Sequence, residues 1–262
     1  NISGGPKLFQ LYIHKDQSLT DNLIDRCKRS GFNAMCLTVD TVVAGNRERE
    51  HKWGFTTPPK LTLKSLLSFA LHPKWSINYL THKKFELANV SHFTKKGSSI
   101  AKGVMEYINE QYDPAMGWKD AEYCIKKWGG PFAIKGVMSV DDAKRAVEIG
   151  ASAIMLSNHG GRQLDGSRAP FDQLPAIADA IGGKAEIILD GGVRRGTHVL
   201  KALSLGATAC SFGKGYLFGL GAGGQKGVEA VLQKMHDEIR RDMILLGCKS
   251  IKELSKSNIT YR

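Results

Sequence analysis

Residues 152–166 read SAIMLSNHGGRQLDG. Ala153 to Leu156 form a short apolar run, and it gives way at once to Ser157, Asn158, His159, Arg162 and Asp165, spaced by glycines. A buried strand that ends in such a burst is either a turn or the rim of a site, and the rest of the chain decides which. The pattern recurs: LFQLYI (8–13), FNAMCLTVD (32–40), PFAIKGV (131–137), EIILDGGV (186–193) and ATACSFG (207–213) are also short apolar runs. Helix-spaced stretches follow them, SLTDNLIDRCKRSG after the first and SVDDAKRAVEIG after the third. Strands this apolar, alternating with helices, predict a parallel sheet covered by helices.

Two arrangements compete, an open doubly wound sheet and a closed (β/α)8 barrel. The strand ends favour the barrel. They carry Gln10 and Tyr12, Thr38 and Asp40, Lys135, Ser157 and His159, Asp190 with Gly191 and Gly192, and Gly213. A barrel gathers all its strand C-termini around one mouth, whereas an open sheet joins only those beside the switch point. The glycines after the last two strands, with Arg194, Arg195 and Lys214, stand where barrels hold phosphate. No G-x-G-x-x-G follows the first strand. Six strands are legible where a closed barrel needs eight.

The 262 residues, 42% hydrophobic, are enough for one large core, and no apolar run is long enough to span a membrane. Cys27, Cys36, Cys124, Cys210 and Cys248 are odd in number and contain no C-x-x-C pair, against disulfides or a metal site and for a reducing, cytoplasmic setting. The net charge is +12, and residues 51–105 hold nine lysines against Glu86 alone, a local +8. The basic residues there are all lysines with no nucleic-acid-binding motif around them, so nucleic acid is not expected as a partner. A solvated face or an anionic membrane surface accounts for the charge.

SNHGGRQLDG, TVDTVVAGNRERE, AIKGV and ILDGGVRRGTHVLKALSLGA together resemble the FMN-dependent α-hydroxy acid dehydrogenases and oxidases, in order and at matching spacing from about Leu8 onward. YDPAMGWKD leans towards the L-lactate dehydrogenase branch. The resemblance implies a single FMN-binding TIM-barrel domain over 1–262, carrying strands three to eight, with a long basic insert at about 48–117. The chain starts Asn-Ile-Ser, and the expectation is that two further strands precede it.

What the resemblance implies for single residues agrees with their chemistry. His159 is the expected base, since imidazole titrates near neutrality. Asp40 is expected to accept a hydrogen bond from it and stabilise its protonated form. Arg162 and Arg47 suit a substrate carboxylate, because a guanidinium fork matches it bidentately. Tyr12 is expected to donate its hydroxyl to the substrate oxygen. Gln10 and Thr38 are expected at the edge of the flavin ring, Lys135 as the cation beside its N1–C2=O edge, Asp190 at the ribityl chain, and Ser157 as a further cofactor-binding residue. Gly191, Gly192, Arg194, Gly213 and Lys214 are expected to cradle the phosphate. Lys214-Gly215 replaces the family's usual Arg-Pro, keeping the charge but not the planar fork.

The implied reaction is oxidation of an L-2-hydroxy acid, L-lactate first, with FMN as cofactor and a quinone, cytochrome or oxygen as acceptor. Rival readings are an oxidase acting on a glycolate- or mandelate-like acid, and an inactive fragment. A homotetramer is the expected assembly. LTLKSLLSFALHPKWSINYL (61–80) suits either a helix in a membrane interface, on the inner face of the cytoplasmic membrane, or a lid over the barrel mouth.

Overall fold

All six apolar runs form strands, each shorter than its run at one end or both. The computed structural model describes residues 4–48, 62–82 and 110–260, together with Lys52 and Asn89. The strands are β1 (Leu8–Leu11), β2 (Ala34–Thr38), β3 (Phe132–Val137), β4 (Ala153–Leu156), β5 (Glu186–Asp190) and β6 (Ala209–Ser211). All pair in parallel in the order β1-β2-β3-β4-β5-β6, so every strand lies beside its neighbour in sequence. With helices following the strands, this is a partial (β/α)8 barrel. β1 and β6 each pair on one side within this sheet.

Local chemistry sets the helix limits. Helix α1 (Gln17–Arg29) starts at Asp16, whose carboxylate accepts from Ser18 N, and the chain turns away at Gly31, φ 66°. Two helices, α2 (Leu63–Leu71) and α3 (Pro73–Thr81), form within the insert. Helix α4 (Trp118–Trp128) stops at left-handed Gly129, and α5 (Val140–Glu148) is capped by Ser139 on Asp142 N. Pro170 opens α6 (Pro170–Ile181) and left-handed Gly182 closes it. Then come α7 (Gly196–Ser204) and α8 (Lys214–Leu245), which breaks at Gly223 and Gly224. Two short 3-10 turns finish the described chain.

Alternation along the strands divides their side chains between two faces. Leu11, Met35, Leu37, Phe132, Ile134, Ile154, Leu156, Ile187 and Leu189 are buried in the main core, with Leu19, Ile24, Ala143, Ala146, Leu174 and Ile177 from the helices. The concave face carries a smaller cluster, Cys36, Ala133 and Met155, with Ala153 and Ile188 against it. Register carries this face up to the site: Gln10 lies opposite Cys36, and Thr38 opposite Lys135.

The 61–80 stretch is not one helix. It breaks at His72, where Pro73 opens the second helix, because proline cannot donate to the turn before it. Neither α2 nor α3 has a buried residue, and they pack chiefly on each other. Phe69, Trp75 and Tyr79 stack face to face at 5.3 and 5.2 Å, while Leu63 is 87% and Leu80 79% exposed. The packed face of a lid is therefore absent from the described residues of this stretch. Most of the basic stretch 51–105 lies outside the described residues. Among those described, no helix is long and apolar enough to cross a membrane. The insert's end is tied down: His14 bridges Tyr112 antiparallel, and Lys15 N donates to Gln111 O at 2.9 Å.

Candidate active site

The strand C-termini open onto one cavity of about 790 Å3. Of the sequence-predicted residues, Gln10, Tyr12, Lys135, His159, Arg162, Asp190, Gly191, Gly192, Arg194, Gly213 and Lys214 line it. Thr38, Asp40 and Ser157 sit immediately behind that lining. Arg47 does not line it, and its charge acts instead on Tyr112.

Asp40 and His159 meet although their strands are not neighbours, since β3 runs between them. Asp40 reaches across at Gly136, where a Cβ would lie 2.8 Å from Asp40 Cβ and where φ is +105°. Any side chain at that position would displace the carboxylate. His159 Nδ1 donates to Asp40 Oδ1 at 3.0 Å. A carboxylate only accepts, so Nδ1 carries a proton, and Nε2 is the ring nitrogen that Asp40 does not engage. Thr41 Oγ1 also donates to Asp40 Oδ1, at 3.1 Å. Burial works to raise the Asp40 pKa, but the His159 hydrogen bond and the Lys135 charge outweigh it and hold the carboxyl below its ordinary value.

His159 is itself held in a left-handed conformation, φ 56°, followed by Gly160 and Gly161 at 69° and 70°. That conformation costs a non-glycine residue about 1–2 kcal/mol, so the surroundings must impose it. Its amide donates to Ser157 Oγ at 3.0 Å, and Gly161 N donates to Asn158 O at 3.0 Å. Ser157 is a hub. Its hydroxyl donates to Asp190 Oδ2 at 2.7 Å and accepts from Lys135 Nζ at 3.1 Å. Lys135 thereby stands between two carboxylates, 3.8 Å from Asp40 Oδ2 and 3.6 Å from Asp190 Oδ2.

At β1, Gln10 Nε2 donates to Thr38 Oγ1 at 2.8 Å and to Tyr12 OH at 2.9 Å, which turns its carbonyl oxygen to other partners. Burial raises the Tyr12 pKa, so the phenol keeps its proton. Burial also pushes the Cys36 thiol up to about 12, which leaves it inert beneath the site.

The far end of the cavity is cationic and rich in backbone N–H groups. Arg194 and Lys214 line it, and α8 begins there at Gly213. Cβ atoms at Gly192 and Gly213 would meet nothing within 4 Å, so both glycines face open space. The donor set therefore fits a phosphate at one end, and Lys135 with Gln10 fits a polar ring edge at the other. FMN has this outline.

Four residues outside the sequence expectations also shape the site. His198 Nδ1 accepts from Arg194 N at 3.2 Å and braces the glycine loop. Glu238 on α8 accepts from Arg195 Nη1 and Gly196 N, both at 2.8 Å, clamping the start of α7. The Tyr112 ring lies 6.4 Å from that of Tyr12. Gln163 spans the Asp40 and His159 loops. For Tyr112 and Glu238 no local signal exists, because long-range pairing brings both to the site. Gln163 was visible within SNHGGRQ.

A family profile described as FMN-dependent dehydrogenase matches residues 1–261. The chain belongs to that family. An L-lactate oxidase of a Nostoc species is 43% identical over 249 residues, covering 95% of this chain and 62% of the relative. An L-lactate dehydrogenase of Xanthomonas campestris is 40% identical over 254 residues, covering 95% and 64%. A solved structure of the monotopic membrane protein (S)-mandelate dehydrogenase superposes with TM-score 0.93 at 32% identity, covering 100% of this chain and 68% of that one. The chain thus spans somewhat under two thirds of the length of its first curated relatives.

Proposed function

We propose that the chain binds FMN and forms the catalytic part of an enzyme oxidising an L-2-hydroxy acid, L-lactate first, to the 2-oxo acid. The observation that carries this reading is the His159–Asp40 pair, poised beside Lys135 and Arg162 around one cavity. His159 Nε2 takes a proton from the substrate, and Asp40 stabilises the imidazolium that forms. Arg162 holds the carboxylate, with Arg47 assisting from the loop after β2. The Tyr12 hydroxyl orients the substrate oxygen. Gln10, Thr38 and Lys135 hold the flavin ring, Ser157 and Asp190 its ribityl side, and Gly191, Gly192, Arg194, Gly213 and Lys214 the phosphate. When bound, FMN supplies the acceptor for two electrons, which a quinone, a cytochrome or oxygen then removes.

The exposed apolar faces of α2 and α3, with Lys64 and Lys74 among them, support peripheral attachment to a cytoplasmic membrane face. A homotetramer is the proposed assembly. Colour tests the reading. A yellow preparation bleached anaerobically by L-lactate supports it, and oxygen uptake in turnover separates oxidase from dehydrogenase. A preparation that takes up FMN but is not bleached by L-lactate, glycolate or mandelate rejects it. Failure to take up FMN favours the rival reading of an inactive fragment.

A further inference from the structure

Sheet hydrogen bonds fix β2 against β3 and β3 against β4, but none joins β2 to β4. Yet Asp40, from the loop after β2, must stand 3.0 Å from His159, from the loop after β4. Something above the sheet has to hold the two loops in register.

Gln163 makes that connection. Its Nε2 donates to Asp40 O at 3.3 Å and to Val43 O at 3.1 Å, so one amide grips the β2 loop at two points. From the other side, Gly45 closes against the same segment. A Cβ at Gly45 would stand 2.3 Å from the Arg162 carbonyl oxygen and 2.6 Å from Gln163 Oε1. Two of these obstacles are backbone or a buried amide, so neither can swing aside. Gln163 Oε1 is buried and, among the described residues, accepts no hydrogen bond. An amide left half-satisfied in the interior is unfavourable unless its donors are needed where they are.

We propose that Gln163, seated against Gly45, is a positioning residue that sets the Asp40–His159 hydrogen bond and the approach of the Arg47 loop to Arg162. Asp40 opens the gripped loop, Arg47 lies two residues beyond Gly45, and Arg162 is adjacent to Gln163. One contact therefore registers the base partner and the carboxylate ligands together. The kinetic part of this inference rests on the proposed oxidation of a hydroxy acid, whereas the hydrogen-bond part does not.

The experiment follows the His159 imidazole directly. In protein labelled with 15N-histidine, the Nδ1 proton bonded to a carboxylate gives a downfield resonance, assigned by its loss in His159→Asn. Gln163→Met keeps length and burial but removes both donors, and Gly45→Ala pushes the loop away while leaving Gln163 intact. In each, the resonance is expected to move upfield or vanish while FMN affinity holds; the melting temperature is expected to stay close to the parent's in Gln163→Met and to fall, with the transition still cooperative, in Gly45→Ala. Substrate reduction of the flavin is expected to fall ~10-fold or more, with a raised KM for the acid. A resonance unchanged in both variants overturns the proposal, as does its absence from the parent. Loss of the resonance only together with loss of FMN binding and a collapsed melting transition also overturns it, since that marks general structural damage. If Gln163→Met fails to fold, Gly45→Ala decides alone. If the resonance responds as expected but no hydroxy acid bleaches the protein, the positioning role stands and the proposed reaction fails.

Discussion

At the scale of single residues, the site is a set of charges that need one another. His159→Asn keeps a polar side chain near the loop but loses the proposed base. FMN is expected to stay bound while reduction by substrate falls by ~10²–10⁴, read by anaerobic stopped-flow. Arg162→Lys keeps the charge and loses the fork, so KM for the acid should rise while FMN affinity holds. An unchanged KM would move the carboxylate elsewhere. Asp40 also makes folding depend on pH. Its folded pKa is depressed, so it contributes stability above the ordinary carboxyl range and loses it as pH falls through the folded value. Urea unfolding at a series of pH values below about 5 should show this loss, and Asp40→Asn should flatten it. Polar residues directly after apolar runs made Asp40, Lys135, Ser157, His159 and Asp190 legible in the sequence. Gly136 and Tyr112 were not, because the reason for each is a contact with another segment.

At the scale of elements, the strands were legible because a doubly covered sheet demands continuous apolar runs. Helix α8 breaks at Gly223 and Gly224. Gly219 and Gly227 meet where α8 doubles back, and a Cβ at Gly227 would stand 2.0 Å from the Gly219 carbonyl oxygen. Gly227→Ala should therefore lower stability by ~1–3 kcal/mol, seen as a shifted urea midpoint, because no flexible side chain is there to move. For α2 and α3 the sequence left lid and membrane readings open, since an apolar face at helical spacing serves both. Leu63, Leu71, Ile77 and Leu80 are exposed, which suits the proposed membrane attachment. Sedimentation with anionic vesicles should weaken as salt rises, and replacing those four residues with serine should abolish it. Salt-independent sedimentation would exclude a role for the lysines.

At the scale of the molecule, an arc of six strands rather than a closed barrel was legible from the strand count. The exposed side was legible as well: Leu8 on β1 is 46% exposed, and β1 and β6 offer unpaired edges within the sheet. Among the described residues, no strand stands beside a flavin in this cavity between β1 and β6. Gel filtration of the yellow protein should strip FMN, and added FMN should restore the colour. Retention through repeated filtration would mean that the open side is covered. What stayed illegible at this scale was the clamp of α8 on α7 through Glu238, which joins residues 42 positions apart.

The neighbour-by-neighbour order of the sheet governs how quickly it can assemble. Between β2 and β3 the chain runs through 93 residues, against 29 between β4 and β5, the next longest gap. Closing the longer loop costs only ~1 kcal/mol more, because the penalty grows with the logarithm of length. Folding should therefore begin in the contiguous β3–β6 half, with β1 and β2 joining late. Shortening the insert should speed refolding by no more than about 5-fold. His159 and Asp40 would then find each other only in the last step.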